Sequence, residues 1–274
     1  MQHHTSFHTI AAFKGHGALP HYVSTASTNS KIEGDGLLLI DSGGQYLGGT
    51  TDVTRVWPIG RVSEAQRRDF TLVLKGMLNL SRARFPRGTP GPMLDALARA
   101  PLWAEGLDYD HGTGHGVGYF LHVHEGPQTL SRVQPDPSMG FEPGMITSIE
   151  PGVYRAGLWG IRIENLALAR LAPALEGGQF GEMLEFETMT LCPIDTRLLL
   201  TAMLRTDELA WLNDYHRIVR ERLQSRLSAV AVAWLLDRTE PVGHGLNPNP
   251  QKSGMAETPA RIEAGTLLPS KDRP

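Results

Sequence analysis

The sequence has little that would place the protein outside the cell, in a membrane or on a charged partner. It contains one cysteine, Cys192, which has no second cysteine for an internal disulfide. The N-terminus lacks the basic and apolar regions of a secretory signal peptide, so we expect a cytoplasmic protein. No apolar run approaches the length that crosses a bilayer, so no membrane partner is expected. The 26 basic and 29 acidic residues give a net charge of -3, which does not favour nucleic acid as a partner.

Histidine and glycine, in contrast, are concentrated in one stretch, residues 111–124. This stretch holds four histidines and four glycines, although glycine costs chain entropy and histidine contributes little to a core. A metal centre would explain both, because imidazole is a common ligand and glycine permits tight turns beside a site. A Gly-rich loop with solvated histidines is the alternative interpretation of these residues taken alone.

Two acidic residues occupy a predicted hairpin near the N-terminus. An apolar run at 36–40 ends in Asp41 and two nearby glycines, which is typical of a buried strand with a carboxylate at its end. Residues 46–57 are predicted to return as the second strand and to bring Asp52 onto the same face as Asp41. One Asp alone would simply cap a turn, but two buried acids repel each other unless cations lie between them.

A second predicted hairpin repeats this design. An apolar segment at 141–149 ends in Glu150 and a Gly turn, and residues 159–165 are predicted to form the partner strand of this segment. Alternation along that partner places Arg162 and Glu164 on one face. The two glutamates thus relate to this hairpin as the two aspartates relate to the first.

Together with His115, the four carboxylates form a set of oxygen and nitrogen donors without sulfur. Such a set suits Mn²⁺, Co²⁺, Zn²⁺ or Fe²⁺ better than a closed structural zinc site. Four carboxylates carry more negative charge than one divalent ion needs, which favours two metal ions.

Helical periodicity is confined to four segments, the first of which follows a capping box that begins at Ser63. The four predicted helices span residues 64–82, 91–99, 206–224 and 229–236. From residue 243 onward Pro, Gly, Asn, Ser and Lys dominate, so residues 243–274 are expected to form a disordered tail.

Five motifs of the chain resemble those of one known family. They are Leu39-Ile40-Asp41-Ser42-Gly43, Thr51-Asp52-Val53-Thr54-Arg55, His111-Gly112-Thr113-Gly114-His115-Gly116-Val117-Gly118, Ile149-Glu150-Pro151-Gly152 and Gly160-Ile161-Arg162-Ile163-Glu164-Asn165. Together they resemble the catalytic domain of Xaa-Pro aminopeptidases (aminopeptidase P), in the pita-bread metallopeptidase family shared with prolidase and methionine aminopeptidase. The two aspartates are eleven residues apart and the two glutamates fourteen, as in the family. The resemblance runs from Ser6 to Pro241.

The resemblance implies an α/β (α+β) pita-bread fold of the creatinase/aminopeptidase-like kind, built from two pseudo-twofold halves. Residues 1–242 would form the metallopeptidase catalytic domain. The chain departs from the family at its front, where the first half starts almost at its strand and lacks its leading helices. We therefore expect an N-terminally truncated catalytic domain with one apolar sheet face that lacks helical cover.

The resemblance also implies a role for each metal ligand. Asp41 would chelate one ion, Asp52 and Glu164 would bridge both, and His115 and Glu150 would complete the second. Mn²⁺ is the expected metal, with Co²⁺ or Zn²⁺ as alternatives. A bridging water or hydroxide, its pKa lowered by the two cations, would attack the carbonyl of the bond before proline. Glu150 would manage the proton of this nucleophile.

Four further residues receive roles from the same resemblance. His21, His111 and His124 would bind substrate and stabilise charge at the tetrahedral stage, although the local sequence of His21 alone favours a surface histidine. Arg162 would orient a bridging carboxylate. His122 would face the same side of its strand as His124, and the sequence Val-His-Glu-Gly-Pro favours His124.

The implied activity is release of the N-terminal residue from peptides with proline in second position. Prolidase would show the same ligands but would take a dipeptide. A truncated, non-catalytic remnant or binding module is a further alternative, because the front of the family domain is missing. A creatinase-like, metal-independent hydrolase is disfavoured, since it would not need five intact ligands. The resemblance also allows a homodimer.

Overall fold

The computed structural model describes residues 2–133, 139–174, 179 and 181–243. Its strands are β1 (Gln2–Thr5), β2 (Ile10–Phe13), β3 (Gly36–Ser42), β4 (Gly44–Tyr46), β5 (Gly49–Thr50), β6 (Val53–Ile59), β7 (Arg84–Pro86), β8 (Gly114–His115), β9 (Thr129–Leu130), β10 (Ile146–Ile149), β11 (Gly152–Arg155), β12 (Trp159–Arg162), β13 (Asn165–Leu171) and β14 (Met183–Thr188). Its α-helices are α1 (Glu64–Ser81), α2 (Gly91–Trp103), α3 (Thr206–Leu223) and α4 (Ala229–Arg238). Helices and antiparallel sheets share one chain, as the predicted mixed class requires.

The predicted Asp hairpin is confirmed, but the strand predicted over residues 46–57 is not continuous. β4 pairs with β5 at the turn, and a gap at Gly43 and at Thr51–Asp52 separates this short ladder from the main one. β3 pairs with β6 over its full length, and β2 adds a third strand beside β3. Asp41 lies opposite Thr54, and Asp52 comes two residues before Thr54. Because side chains alternate along a strand and directly opposed residues share a face, Asp41 and Asp52 point to the same side.

The second predicted hairpin is also interrupted, which the sequence pattern did not predict. Its turn lies at residues 156–158 and not directly after Glu150, where the prediction placed it. β10 pairs with β13, and β11 pairs with β12, in two separate antiparallel ladders. The ladders stop at Glu150–Pro151 on one side and at Ile163–Glu164 on the other. Proline has no N–H to continue a ladder, and the bond from the Ile163 N–H to the Pro151 carbonyl is long, at 3.4 Å. Both glutamates therefore lie in breaks between regular strands.

The four helical segments predicted from periodicity are all present. α1 begins with the predicted capping box, in which Ser63 Oγ accepts from the Gln66 N–H at 3.2 Å and Gln66 Oε1 accepts from the Ser63 N–H at 2.8 Å. α2 continues past its predicted end through Pro101 to Trp103. Arg99 is almost fully buried in this last part of the helix, so tertiary packing sustains a turn that local pattern did not indicate. α1 and α2 pack against each other above the sheets and bury the main hydrophobic core.

Residues 2–35 contain short strands and a 3₁₀ helix at Lys14–Ala18 but no α-helix. The outer face of the Asp hairpin is nonetheless partly covered, because Trp57 of β6 packs against Trp234 of α4 with ring centroids 5.4 Å apart. Leu38, opposite Trp57, is only 8% exposed. The expectation of an uncovered apolar face is wrong for this part of the sheet, since a C-terminal helix lies on it.

The structure does not test the predicted C-terminal tail or the predicted domain bounds. The tail predicted for residues 243–274 lies outside the described residues from residue 244 onward. The assignment of residues 1–242 to a single catalytic domain stays a prediction. Within the described ranges, no helix is both long enough and apolar enough to cross a membrane.

Candidate metal centre

The structure brings the five predicted metal ligands into one cavity of about 510 Å³. Its lining includes Asp41, Asp52, His115, Glu150 and Glu164. Ligand atoms of Asp52, His115 and Glu164 lie within 4.8 Å of one another. His115 Nε2 is 3.5 Å from Asp52 Oδ2 and 3.4 Å from Glu150 Oε1. Carboxylates from both hairpins and an imidazole from the His-Gly stretch thus meet in one place.

His115 is held through both its backbone and its ring. The His115 N–H donates to Ser148 Oγ at 2.9 Å, and the Ser148 hydroxyl donates to Glu150 Oε1 at 3.0 Å. Ring Nδ1 lies 2.9 Å from the Gly116 carbonyl, which favours the tautomer with its hydrogen on Nδ1 and directs the lone pair of Nε2 to the carboxylates. Gly114 permits this approach, because a Cβ there would lie 1.9 Å from the Ser148 carbonyl oxygen.

Glu164 is tied directly to the Asp hairpin. Its N–H donates to the Thr54 carbonyl at 3.2 Å, and the Thr54 hydroxyl donates to Glu164 Oε2 at 2.8 Å. Thr54 follows Asp52 by two residues and faces the same side of the hairpin. Thr54 therefore sets the spacing between the two carboxylates predicted to bridge the ions.

Arg162 connects the two hairpins a second time. Its Nη2 donates to Asp41 Oδ2 at 2.6 Å, and its Nε donates to Thr54 Oγ1 at 3.1 Å. The guanidinium thus orients Asp41 directly and reaches Glu164 only through Thr54. Its Nη1 donates to the Tyr154 hydroxyl at 2.9 Å. One buried cation therefore fixes groups on both sides of the cavity.

Tyr154 belongs to the site although no motif pointed to it. Its hydroxyl lies 2.8 Å from His111 Nε2 as well as next to Arg162. A Cβ at Gly152 would lie 2.6 Å from the same hydroxyl, so Gly152 leaves room for the Tyr154 side chain. The signal that could have identified it is the strand alternation, which puts Gly152 and Tyr154 on the face that Arg162 shares.

The predicted outer histidines differ in their surroundings. Both ring nitrogens of His111 have partners, since Nδ1 lies 2.7 Å from the Gly112 carbonyl and Nε2 meets Tyr154. Burial lowers the pKa of His111 to about 4, so this ring is neutral near pH 7. His21 lines the cavity from an exposed position.

His124 lies edge-on against His115, with ring centroids 4.3 Å apart. Burial lowers the pKa of His124, and the neighbouring His115 lowers it further. The cavity is lined by His124 and not by His122, which is the choice that the local sequence favoured.

The carboxylates of the cavity repel one another. Burial, followed by the charge of Asp52, raises the pKa of Glu164 well above its usual range, and burial raises that of Glu150 to about 7. Burial also raises the pKa of Asp41, with Arg162 opposing the shift. Asp41 Oδ1 has no hydrogen-bond partner among the described residues. Divalent cations would offset the repulsion and give this oxygen a partner, so the donor set fits metal ions.

Comparison with family models covers most of the chain. The model of metallopeptidase family M24 matches residues 1–170, and that of the C-terminal region of peptidase M24 matches residues 182–242.

Curated relatives share extensive sequence with the chain. It is 43% identical over 240 residues to a probable Xaa-Pro aminopeptidase P of Pyricularia oryzae, across 86% of this chain and 38% of that protein. It is 44% identical over 241 residues to another of Neosartorya fischeri, across 86% of this chain and 36% of that protein. The chain therefore spans well under half the length of these relatives.

Solved structures show the same resemblance. An X-prolyl aminopeptidase from Caenorhabditis elegans, described as a cytosolic enzyme with a di-nuclear active site, aligns with a TM-score of 0.81 and 41% identity over 87% of this chain and 39% of that one. Prolidase from Pyrococcus furiosus aligns with a TM-score of 0.56 and 29% identity over 68% of this chain and 50% of that one.

Proposed function

The chain belongs to metallopeptidase family M24, and on that premise we propose that it hydrolyses the N-terminal Xaa-Pro bond of peptides with the aid of two divalent metal ions. The observation that carries this proposal is the convergence of four carboxylates and His115 in one cavity. The relatives named Xaa-Pro aminopeptidase support the substrate class.

The five ligands divide between two ions in the proposed site. Asp41 would hold one ion, Asp52 and Glu164 would serve both, and His115 and Glu150 would complete the second; all five residues line the cavity. Oxygen and nitrogen donors without sulfur suit Mn²⁺, with Co²⁺ or Zn²⁺ as alternatives. When bound, the ions supply Lewis-acid activation of a water molecule and of the scissile carbonyl.

The remaining chemistry belongs to side chains of this chain. We assign Glu150 to managing the proton of the attacking water, which it would take at one stage and return to the leaving nitrogen at the next. We assign His21, His111 and His124 to binding the substrate and stabilising charge on its carbonyl. Because both ring nitrogens of His111 have protein partners, His111 acts through Tyr154. Arg162 keeps Asp41 and Tyr154 in position.

Aminopeptidase activity is preferred over prolidase activity for two reasons. The structural likeness to the C. elegans X-prolyl aminopeptidase covers more of the chain than the likeness to the P. furiosus prolidase does. The curated relatives that are 43% and 44% identical to the chain are both named probable Xaa-Pro aminopeptidase P. The likeness to an enzyme described as cytosolic supports a cytoplasmic location, and a homodimer stays a prediction.

Peptide hydrolysis by the purified chain tests the proposal. We expect Mn²⁺-dependent release of the first residue from an Xaa-Pro-Xaa tripeptide, lost in His115→Ala and kept in His122→Ala, since His122 is exposed and does not line the cavity. Cleavage of an Xaa-Pro dipeptide but not of the tripeptide would indicate prolidase instead. A folded chain that binds metal and cleaves neither would support the non-catalytic alternative.

A further inference from the structure

Arg55 is a buried cation outside the cavity. It lies on β6 next to Thr54, on the opposite face of the hairpin, and is 3% exposed. The partners that the described residues offer to its guanidinium are all neutral. They are the carbonyls of Thr54 (2.8 Å), Glu164 (2.5 Å), Cys192 (2.9 Å) and Pro193 (3.0 Å), Asn165 Oδ1 (2.7 Å) and the Tyr215 hydroxyl (3.0 Å).

One side of this guanidinium bonds to the main chain at the gap between ladders that contains Glu164. Glu164 lies between β12 and β13, so its carbonyl has no place in either ladder. Arg55 Nη1 donates to that carbonyl and also to the Thr54 carbonyl, which already accepts the Glu164 N–H. A buried carbonyl without a partner costs free energy, so Arg55 stabilises the broken strand where the sheet bonds stop.

The other side of the guanidinium holds the C-terminal part of the chain. Arg55 Nε donates to the Pro193 carbonyl, and Nη2 donates to the Cys192 carbonyl and the Tyr215 hydroxyl. Tyr215 belongs to α3 and also donates to the carbonyls of Thr190 and Cys192. Segment 190–215 is therefore joined through one side chain to the strand pair that carries Asp52 and Glu164.

A guanidinium suits this position for a geometric reason. Its donors lie in a rigid planar fork, whereas an ammonium offers one compact centre with three rotatable donors. Lysine at this position would keep the charge but could not reach acceptors on both sides at once.

We propose that Arg55 is a positioning residue, through which segment 190–215 sets the spacing of the Asp52 and Glu164 carboxylates for metal ions. The inference rests on the metal site of the proposed function but not on the peptidase activity. It adds a role for the C-terminal part of the chain, which supplies none of the five ligands.

The test is the affinity of the chelator-treated full chain for Mn²⁺, measured by titration calorimetry in wild type and Arg55→Lys. We expect affinity to fall about tenfold to a hundredfold, as when a group that orients a metal ligand is lost. Arg67→Lys is the matched control, because Arg67 lies on α1, which carries no ligand, and donates to the Leu199 carbonyl of the same C-terminal segment. We expect its Mn²⁺ affinity to match that of the wild type.

Melting temperature and amide exchange over residues 160–168 are measured in parallel. Faster exchange in Arg55→Lys than in Arg67→Lys, at similar melting temperatures, supports the inference. Equal Mn²⁺ affinity in Arg55→Lys and wild type overturns it. If Arg55→Lys does not fold, Tyr215→Phe removes one acceptor of the guanidinium, and unchanged affinity in that variant overturns the inference as well. A wild type that binds Mn²⁺ but cleaves no peptide overturns the proposed function alone.

Discussion

The two hairpins that deliver carboxylates to the cavity are both split into two ladders, and they differ in how many of their ligands lie in a gap. In the Asp hairpin β3 pairs with β6 and β4 pairs with β5. Asp41 lies inside the first ladder, so the sheet bonds of its own strands set its position, whereas Asp52 lies in the gap between β5 and β6. The Glu hairpin is split into two ladders, and Glu150 and Glu164 both lie in the gaps. A ligand inside a ladder is placed by local pairing, whereas a ligand in a gap takes its position from partners elsewhere in the fold.

Those partners are identifiable for both glutamates. The Glu150 N–H donates to the Thr113 carbonyl at 2.7 Å, and the Thr113 hydroxyl donates to the buried Asp95 Oδ1 at 2.6 Å. Arg99, also buried, donates to Asp95 and to the His111 carbonyl. Glu164 is held by Thr54 and Arg55. The Glu hairpin thus depends on α2, the His-Gly stretch and β6.

The largest expected effect comes from Gly114→Ala, which forces the main chain of the His-Gly stretch away from the Glu hairpin. In Gly114→Ala the new Cβ would meet the Ser148 carbonyl oxygen at 1.9 Å, and main chain cannot move aside cheaply. We expect His115 to shift and activity to fall about a hundredfold or more, with a loss of about 1–3 kcal/mol in unfolding free energy. Tripeptide hydrolysis and chemical denaturation measure the two effects.

Gly48→Ala is the matched variant in the Asp hairpin, because a Cβ at that turn would have nothing within 4 Å. We expect wild-type activity and stability. Equal losses in the two variants would show that the close approach of Gly114 to the Glu hairpin does not position His115.

A smaller effect is expected from the titration of Glu150. Its folded pKa of about 7 lies above the ordinary value of 4.5, so its contribution to stability is full below about 4.5 and is lost as pH rises through about 7. Burial lowers the pKa values of His111 and His216 to about 4 and about 3. These two histidines therefore reduce stability as pH falls below their ordinary pKa of 6.5, which is the opposite pH dependence. The difference between wild type and Glu150→Gln isolates the glutamate.

In the presence of a chelator, we expect the free energy of unfolding of wild type, relative to that of Glu150→Gln, to fall between pH 4.5 and about pH 7. The fall should be about 1.4 kcal/mol for each unit of pKa shift. Added Mn²⁺ should remove the fall for wild type, because the ion binds the deprotonated carboxylate. Calorimetric melting at several pH values with and without Mn²⁺ checks this. A relative stability that rises with pH in chelator would show that the Glu150 pKa is not raised.

The smallest expected effect comes from the one hydroxyl that joins the hairpins. Thr54→Val keeps the shape of the side chain but removes the bond to Glu164 Oε2 and the acceptor of Arg162 Nε. We expect Mn²⁺ affinity to fall about tenfold. Thr71→Val on α1 is the control, since Thr71 is equally buried and its hydroxyl donates to the Arg67 carbonyl and accepts from the Leu200 N–H. Loss of affinity in both variants alike would mean that Thr54 has no special role.

Local pattern predicted both hairpins but not the gaps in them. Alternation and the Gly turn were sufficient to pair β3 with β6, and the capping box at Ser63 marked the start of α1. The same reasoning treated residues 46–57 as one strand and joined residues 141–165 into one hairpin. It therefore missed the gaps that contain Asp52, Glu150 and Glu164, although Pro151 was a visible signal. Tyr154 and Arg55 were also missed as parts of the site, because neither residue type stands out without knowledge of what lies opposite.

The sequence by itself determined the kind of site, because the ligands are carboxylates and an imidazole at fixed spacings in recognisable motifs. Only the tertiary structure decided how the ligands are held. Glu164 takes its hydroxyl partner from 110 residues away, and Arg55 meets Tyr215 across 160 residues. Hydrogen bonds that fill a gap in a sheet come from wherever the fold places a free donor or acceptor, and no local periodicity encodes a pairing at that distance along the chain.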